Sequence, residues 1–207
     1  MASERCSTRE DDLISKLVEA DDASGSEVGD RRLVNLLIVL LHAGHQNMMN
    51  FIGNSVLALA RDPDCLALIR REPARIAGAV DELMRFDSPV QFIPLISRDT
   101  ITLYDQVIQP GEGVWVCVGA ANRDPEAFSS PDRLDLSRNA QRQLSFGLGA
   151  WRCVGARLAQ VSGAVALERF FAHVAEFRVV DEALRWRGHP IVQRGLEAFP
   201  IERVRYA

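Results

Sequence analysis

The chain has 207 residues, of which 47% are apolar and 25% are charged, and its formal net charge is -4. This composition is that of a globular protein with a buried core, and an acidic chain without clustered arginines lacks the basic surface that nucleic-acid binding needs. The four cysteines stand far apart in the sequence, which argues against a disulfide scaffold and favours a reduced, cytoplasmic protein.

The N-terminal residues are polar and acidic, so they do not resemble a signal peptide, and no apolar run reaches the roughly 20 residues of a membrane span. The segment DDLISKLVEA at 11–20 predicts a short amphipathic helix that Asp11 or Asp12 can cap. An acidic loop containing glycine and serine is predicted after it. We therefore expect residues 1–30 to form a partly flexible N-terminal segment.

A long helix is predicted over 31–61, about 45 Å at 1.5 Å per residue, because no proline interrupts this stretch. It is apolar on nearly all sides between Leu33 and Leu41, so we expect other protein to surround it. Two shorter helices are predicted after it, at 65–72 and, following Pro73, at 74–86.

The second half of the chain begins with β-rich sequence. Residues 90–103 and 106–118 are rich in β-branched side chains, which predicts short strands of a small sheet. Residues 119–145 lack periodicity, and a loop of that length in a compact domain is usually functional or disordered. The spacing at 154–174 predicts a strong helix before a strand-like tail. The residues predicted to form its apolar face are Leu158, Val161, Val165, Leu167 and Phe171.

A single cysteine, Cys153, lies in the glycine-rich stretch SFGLGAWRCVG, just before that predicted helix. Amide groups and the dipole at a helix N-terminus favour negative charge there, so the position suits a thiolate. Taken alone, a neutral and buried structural cysteine is about equally expected. A dinucleotide-binding loop is excluded because the glycines lack the GxGxxG spacing and no βαβ pattern surrounds them.

The stretch FGLGAWRCVG resembles the haem-ligand loop of the cytochromes P450, whose pattern is Phe-Gly-x-Gly-x-His/Arg-x-Cys-x-Gly. Upstream, Glu82 and Arg85 match the ExxR of the family's K helix, and Arg133 falls where a third member completes a Glu-Arg-Arg cluster. The segments NRDPEAF and SPDRLDLSRN also follow in the order of bacterial members. The loop positions that match are Phe146, Gly147, Gly149, Cys153 and Gly155.

The resemblance implies a mainly α fold with small β-sheets, the C-terminal part of the cytochrome P450 fold: long I helix, K helix, Cys loop and L helix. Residues 1–207 then form a single truncated haem domain. Cys153 is implied as the thiolate ligand of haem b iron, with Arg98 beside a haem propionate. Trp151 stands where many members carry a histidine on a propionate, and its indole N–H can still donate one bond.

The I-helix motif departs from the family pattern. Members carry an Ala-Gly-x-acid-alcohol stretch that delivers protons to iron-bound oxygen, and this sequence reads AGHQN. Gly44 remains at this catalytic turn, while Gln46 and Asn47 replace the acid and the alcohol. Amides orient water but do not ionise near neutral pH, so they are poor proton relays.

The resemblance covers only the C-terminal half of the family's fold. The family's N-terminal half, which includes much of the substrate pocket, has no counterpart in this sequence. We therefore expect a large exposed apolar surface and, from it, a homodimer or a complex with another chain. An alternative metal site at His42 and His45, three residues apart on one helix, has no third ligand near in sequence.

Three function hypotheses remain open at the level of sequence. The first is a P450-type monooxygenase that oxidises a small organic substrate, in specialised biosynthesis, with electrons from a ferredoxin-type partner. The second is a haem protein that uses peroxide or performs chemistry other than oxygenation. The third is a non-catalytic subunit, or pseudoenzyme, that acts through a partner interface.

Overall fold

The computed structural model describes residues 10–23, 30–188 and 192–206. Within these ranges the chain is mainly helical, with four small antiparallel sheets of two strands each. The helices are α1 Leu13–Ala23, α2 Asp30–Ala60, α3 Pro63–Arg71, α4 Arg75–Phe86, the single turn α5 Val118–Ala121, and α6 Ala156–His173. The strands are β1 Phe92–Ile96, β2 Ile101–Leu103, β3 Gln106–Ile108, β4 Gly113–Cys117, β5 Val174–Val179, β6 Arg185–Trp186, β7 Leu196–Ala198 and β8 Ile201–Tyr206.

Internal contacts divide the chain into two units, Met1–Gln46 and Asn47–Ala207. In the first unit, α1 begins where predicted, because Asp12 Oδ1 accepts the backbone N–H of Ser15 at 2.7 Å. Parts of the expected flexible segment, residues 1–9 and 24–29, lie outside the described residues.

The apolar stretch of α2 in the first unit has several exposed side chains. Val39 is 60% exposed and Leu41 is 76% exposed, whereas Leu33 is buried. An apolar helical face open to water is unfavourable, at about 25 cal/mol per Å² of apolar area. The expectation that other protein surrounds this stretch stays a prediction, since no surrounding chain is present.

The second unit has one hydrophobic core, formed by the C-terminal half of α2 with α3, α4 and α6. Asp62 starts α3 by accepting the N–H of Cys65 at 2.9 Å, and Pro63 occupies the first turn. Gly163 of α6 lies against Phe51 of α2, where a Cβ would come within 2.5 Å of the ring. The fully buried apolar side chains of this core include Phe51, Leu59, Ile69, Ile76, Val80 and Leu167.

Only some of the residues in the predicted apolar face of α6 are buried. Leu167 and Phe171 are buried, but Leu158, Val161 and Val165 are 72%, 46% and 50% exposed. The five residues therefore form two opposite apolar faces of α6 and not the single apolar face that was predicted. The face that packs in the core includes small residues, so spacing alone did not select it.

The strands form where β-branched sequence predicted them. β1 pairs with β4 from Phe92 opposite Cys117 to Ile96 opposite Gly113. β2 and β3 form a short hairpin, while β5 pairs with β8 and β6 with β7. Residues 119–145 are mostly turns, as their lack of periodicity predicted. Within the described ranges, no helix is long and apolar enough to cross a membrane.

Candidate functional site

The loop before α6 is a tight turn that places Cys153 at its end. Gly147 and Gly149 have φ values of 69° and 60°, in the left-handed region that glycine adopts without strain. A Cβ on Gly147 would lie 2.7 Å from the carbonyl oxygen of Trp151, so the loop closes on itself there. The N–H of Cys153 donates to the carbonyl of Phe146 at 2.7 Å. Backbone geometry therefore fixes the cysteine, and the glycines are required for it.

The thiol of Cys153 is free and exposed at the start of α6. Large apolar side chains beside it are also open to solvent: Leu148 is 72% exposed, Trp151 76% and Val154 95%. Exposed apolar side chains next to a free cysteine in sequence fit a flat apolar cofactor that a thiolate would hold, as haem is. The observed loop thus fits the cofactor that the sequence motif implied.

The described residues contain no site for a metal ion bound by side chains alone, because no three His, Cys, Asp or Glu side chains in them come close enough to hold one. His42 and His45 are both exposed on α2, in the first unit. The histidine pair therefore has no third ligand of these types in the described ranges.

Glu82 and Arg85 form an ion pair on α4, and both side chains are 0% exposed. Arg85 Nε lies 2.7 Å from Glu82 Oε2, and Nη2 lies 2.9 Å from Oε1. This bidentate pairing is the strongest arrangement for a guanidinium and a carboxylate. Nη1 of Arg85 donates to the carbonyls of Asn122 and Pro131 at 2.7 and 2.9 Å. Arg85 therefore ties α4 to the long irregular segment.

The second arginine on Glu82 is Arg138 and not Arg133, so the assignment of Arg133 is corrected. Arg138 Nε lies 3.1 Å from Glu82 Oε1, and its side chain is 10% exposed. Arg133 is exposed and contributes its carbonyl, which accepts from Arg85 Nη2 at 3.4 Å. The N–H of Asp135 also donates to Glu82 Oε1 at 3.0 Å, so the backbone between the two arginines already lies against the buried carboxylate.

Asn122 connects this cluster to the cysteine loop, and sequence reasoning missed it. Its side chain accepts from the N–H of Leu144 at 2.8 Å and donates to Ser145 Oγ at 2.9 Å. Ser145 Oγ in turn donates to the carbonyl of Met84 on α4 at 2.9 Å. Asn122 is 0% exposed. The residues just before Phe146 are therefore anchored to α4 through one buried amide.

The I-helix positions fall on both sides of the boundary between the units. Gly44 and Gln46 belong to the first unit, and Asn47 belongs to the second. Asn47 Oδ1 accepts from Gln193 Nε2 at 3.2 Å, and both residues are half-buried. Gln193, which the sequence did not single out, thus orients the amide that stands in place of the family's alcohol.

Asn54, which lies further along α2, and Asp87, which follows α4, both bind Arg194 in the C-terminal segment that also contains Gln193. Asn54 Nδ2 donates to the carbonyl of Arg194 at 3.1 Å, and Asp87 Oδ1 lies 2.7 Å from Arg194 Nε. Burial raises the pKa of Asp87 above its usual value, although the neighbouring Arg194 acts in the opposite direction. Asn50 is buried against Gly195. A Cβ added to Gly195 would lie 2.0 Å from Asn50 Oδ1.

The two residues expected near haem propionates are both open to solvent. Arg98 is exposed in the bend after β1, and Trp151 ends a single 3₁₀ turn that spans Gly149–Trp151. Strand pairing fixes the position of Arg98, since Ser97 donates to the carbonyl of Glu112 at 2.9 Å. Both side chains can accordingly reach a ligand without breaking an interior contact.

Comparison with known proteins places these features in a family. The family model described as cytochrome P450 matches residues 2–181. Cytochrome P450 107B1 of Saccharopolyspora erythraea is 39% identical over 194 residues, which cover 92% of this chain and 47% of that protein. Vitamin D(3) 25-hydroxylase of Pseudonocardia autotrophica is 40% identical over 203 residues, covering 96% of this chain and 50% of that one.

The fold comparison agrees. The solved structure of the Bacillus subtilis bacillaene polyketide synthase cytochrome P450 PksS superposes with a TM-score of 0.89 at 32% identity, over 97% of this chain and 52% of that one. The expected fold class, mainly α with small sheets, is confirmed. The chain spans about half the length of the relatives that it matches.

Proposed function

The chain belongs to the cytochrome P450 family, and from that premise we propose that it supplies the haem-thiolate part of a P450 monooxygenase. The proposed reaction class is oxidation of a small organic molecule, and a relative named for polyketide biosynthesis favours a role in bacterial specialised biosynthesis. A cytoplasmic location and a ferredoxin-type electron donor belong to the same proposal.

The observation that carries the proposal is the cysteine loop. Its two glycines in the left-handed region and the hydrogen bond from Cys153 to Phe146 present a free, exposed thiol just before the start of α6. A structural cysteine would instead be expected to pack in the core, as Cys65 partly does. Exposure of Cys153 thus favours a ligand role over a packing role.

The residues proposed to hold haem b surround that thiol. Cys153 would bind the iron, and Phe146, Gly147, Gly149 and Gly155 shape the loop around the sulfur. A cysteine thiolate bound to haem iron donates electron density that favours cleavage of an oxygen–oxygen bond. Arg98 would pair with a propionate by charge, and the indole N–H of Trp151 can donate to another acceptor.

The buried cluster has a positioning role in this proposal. The Glu82–Arg85 pair binds the irregular segment 119–145 at the carbonyl of Asn122. The side chain of Asn122 in turn binds Leu144, just before Phe146. Of these groups, Asn122 bonds the residues just before Phe146, while Glu82 and Arg85 act through the irregular segment. We therefore assign them to the placement of Cys153 and not to the reaction.

On the oxygen side, Gln46 and Asn47 provide amides where members carry an acid and an alcohol. The hydrogen bond from Gln193 fixes the oxygen of Asn47 as an acceptor. An amide in that state can orient water without releasing a proton near neutral pH. We expect proton delivery to be the weak step of this protein when oxygen and a reductase are supplied.

Haem titration tests the proposal. Addition of hemin to the purified chain should produce a saturable Soret band at one haem per chain in the wild type and in Cys117→Ser. The Cys153→Ser variant should lose the saturable Soret band, because Cys153 is the cysteine that the loop holds in place. Identical titrations for wild type and Cys153→Ser would contradict the proposal.

The oxygen side needs a second comparison on the loaded protein. Gln46→Glu with Asn47→Thr should raise the oxygen-dependent oxidation of a test substrate relative to its peroxide-dependent oxidation. Equal ratios in wild type and double variant would contradict the role given to these amides.

A further inference from the structure

Arginines from three separate parts of the chain line a groove of about 500 Å³ in the second unit. They are Arg61, Arg123, Arg133 and Arg194. Three carboxylates line the groove as well, those of Asp62, Asp87 and Asp132, so one positive charge is in excess. That sign is opposite to the net charge of the whole chain, which is -4. A local excess of guanidinium groups on an acidic protein indicates a site for an anion.

Aromatic rings hold two of these guanidinium groups in fixed planes. The guanidinium carbon of Arg194 lies 3.6 Å from the ring centroid of Trp186. The guanidinium carbon of Arg123 lies 4.4 Å from the ring centroid of Phe86. Stacking on a ring occupies one face of a guanidinium and leaves free the N–H groups on its edge. Donors that are already fixed lose less freedom when a ligand binds, so this arrangement favours binding.

Both stacked arginines have N–H groups left over for a ligand. Arg194 donates through Nε to Asp87 at 2.7 Å. Arg123 donates to Asp132 at 2.6 Å and to the carbonyl of Phe86 at 2.5 Å. A guanidinium has five N–H donors, so these bonds use only a part of them. The side chain of Asp132 is 85% exposed, and water screens its pair with Arg123.

Arg133 lines this groove although its guanidinium is not part of the buried cluster around Glu82. The residue is exposed, and within the described ranges its guanidinium donates no hydrogen bond. Its backbone carbonyl, by contrast, accepts from Arg85 and Arg138 at 3.4 Å each. The backbone of Arg133 is therefore held in place, while its side chain keeps its donors for a ligand.

The number and placement of the arginines favour a phosphoryl group over a carboxylate. Two parallel N–H groups of one guanidinium satisfy a carboxylate, whose two oxygens lie in one plane. A phosphate ester carries a charge of about -1.5 to -2 near neutral pH, and its three oxygens accept from different directions. Arginines that reach the groove from separate segments suit the second geometry. The three carboxylates among them restrict the site to one such group, unlike the row of phosphates in a nucleic acid.

We propose that this groove binds the phosphoryl group of a small phosphate, either free phosphate or a phosphate ester. The guanidinium of Arg133 and the free edges of Arg123 and Arg194 donate to its oxygens. The site involves neither Cys153 nor haem, so the proposal stands or falls separately from the role given to that cysteine.

Isothermal titration calorimetry of the haem-free chain tests the proposal, with sodium chloride holding the ionic strength constant. Inorganic phosphate and glycerol 2-phosphate are the two ligands, and acetate is the carboxylate control. Each phosphate should saturate a single site, and acetate should bind about tenfold more weakly. Tighter binding of glycerol 2-phosphate assigns the site to a phosphate ester, tighter binding of inorganic phosphate assigns it to the free ion, and both results support the proposal.

Matched variants make the test specific. Arg133→Gln should weaken phosphate binding about tenfold, because it removes a charged fork of donors. Arg169→Gln removes the same charge from an exposed position of α6 outside the groove and should leave binding unchanged. Both variants should keep the thermal midpoint of the wild type, so that a difference in binding does not come from unfolding. Arg133→Lys should recover only part of the affinity, because lysine supplies the charge without the fork.

Tryptophan emission reports where the anion binds. An anion that binds Arg194 changes the surroundings of the Trp186 ring against which that guanidinium stacks, so phosphate should shift the emission of the wild type. Trp186→Phe should lose the shift and still bind phosphate, because phenylalanine keeps a ring against the guanidinium.

Any of four results would overturn the proposal. Neither phosphate saturates a site on the wild type. Acetate binds as tightly as the phosphates. Arg133→Gln and Arg169→Gln bind phosphate equally well. The phosphate-dependent shift in emission persists in Trp186→Phe, which would place the anion away from this groove.

Discussion

Removal of the buried guanidinium of Arg85 should destabilise the second unit strongly. In Arg85→Ala, Glu82 keeps only Arg138 and one backbone N–H, and two close carbonyls, of Asn122 and Pro131, lose their donor. Breaking a buried pair by removing one partner costs about 3–5 kcal/mol. For a chain of this size that corresponds to a fall of about 6–20 °C in Tm.

Urea unfolding followed by circular dichroism measures this cost, with Arg178→Ala as the matched control. Arg178 pairs with Glu202 at 2.6 Å, but the two side chains are 52% and 42% exposed. Water screens an exposed pair, so its loss should change stability little. If Arg85→Ala costs no more than this control, the claim that the buried cluster holds the fold together is refuted.

Three further predictions follow from other contacts. Arg138→Ala should lower the free energy of unfolding by about 2 kcal/mol, since it removes a charged hydrogen bond to a buried carboxylate, whereas the exposed Arg133→Ala should change it by less than about 0.5 kcal/mol; the reverse order in urea unfolding would restore the family-based assignment. Because burial raises the pKa of Asp87, the folded state binds that proton more tightly than the unfolded chain, and the contribution of Asp87 to the free energy of unfolding should fall as pH rises above about 4. Asp87→Asn should flatten this part of the pH profile, and an unchanged slope would contradict the cause given. Iodoacetamide should modify the exposed Cys153 before Cys65, whose pKa burial and the nearby Asp62 raise to about 11, and peptide mass spectrometry showing the opposite order would refute the described exposure.

Local signals in the sequence predicted much of the fold. The prediction of a helix over 31–61 agrees with Asp30–Ala60 because an uninterrupted apolar segment bounded by Asp62 and Pro63 leaves little choice of ends. The cap at Asp12 and the presence of short strands in the β-branched stretches were equally local. Features that depend on neighbours in sequence were therefore accessible from residue type and spacing.

Contacts between distant segments were not predictable in the same way. Arg133 and Arg138 are both arginines in one irregular segment, and Glu82, which Arg138 reaches, lies 56 residues away in sequence. Asn122 and Gln193 are polar residues without a periodic pattern, and their partners lie 22 and 146 residues away. No local rule connects such pairs.

The face of α6 shows a different limit. Periodicity identified Leu158 and Leu167 as apolar helix positions, but it did not show that only Leu167 is buried in the core. Buried and exposed apolar positions of this helix have the same residue types, so composition and spacing do not separate them.

The carbon monoxide difference spectrum of the reduced, haem-loaded chain tests the central claim most directly. If Cys153 is the iron ligand, the wild type should show the red-shifted Soret band of thiolate-ligated haem, Cys117→Ser should retain it, and Cys153→Ser should lose it. The band in the Cys153→Ser protein, or its absence from a wild type that has bound haem, would contradict the assignment of this cysteine.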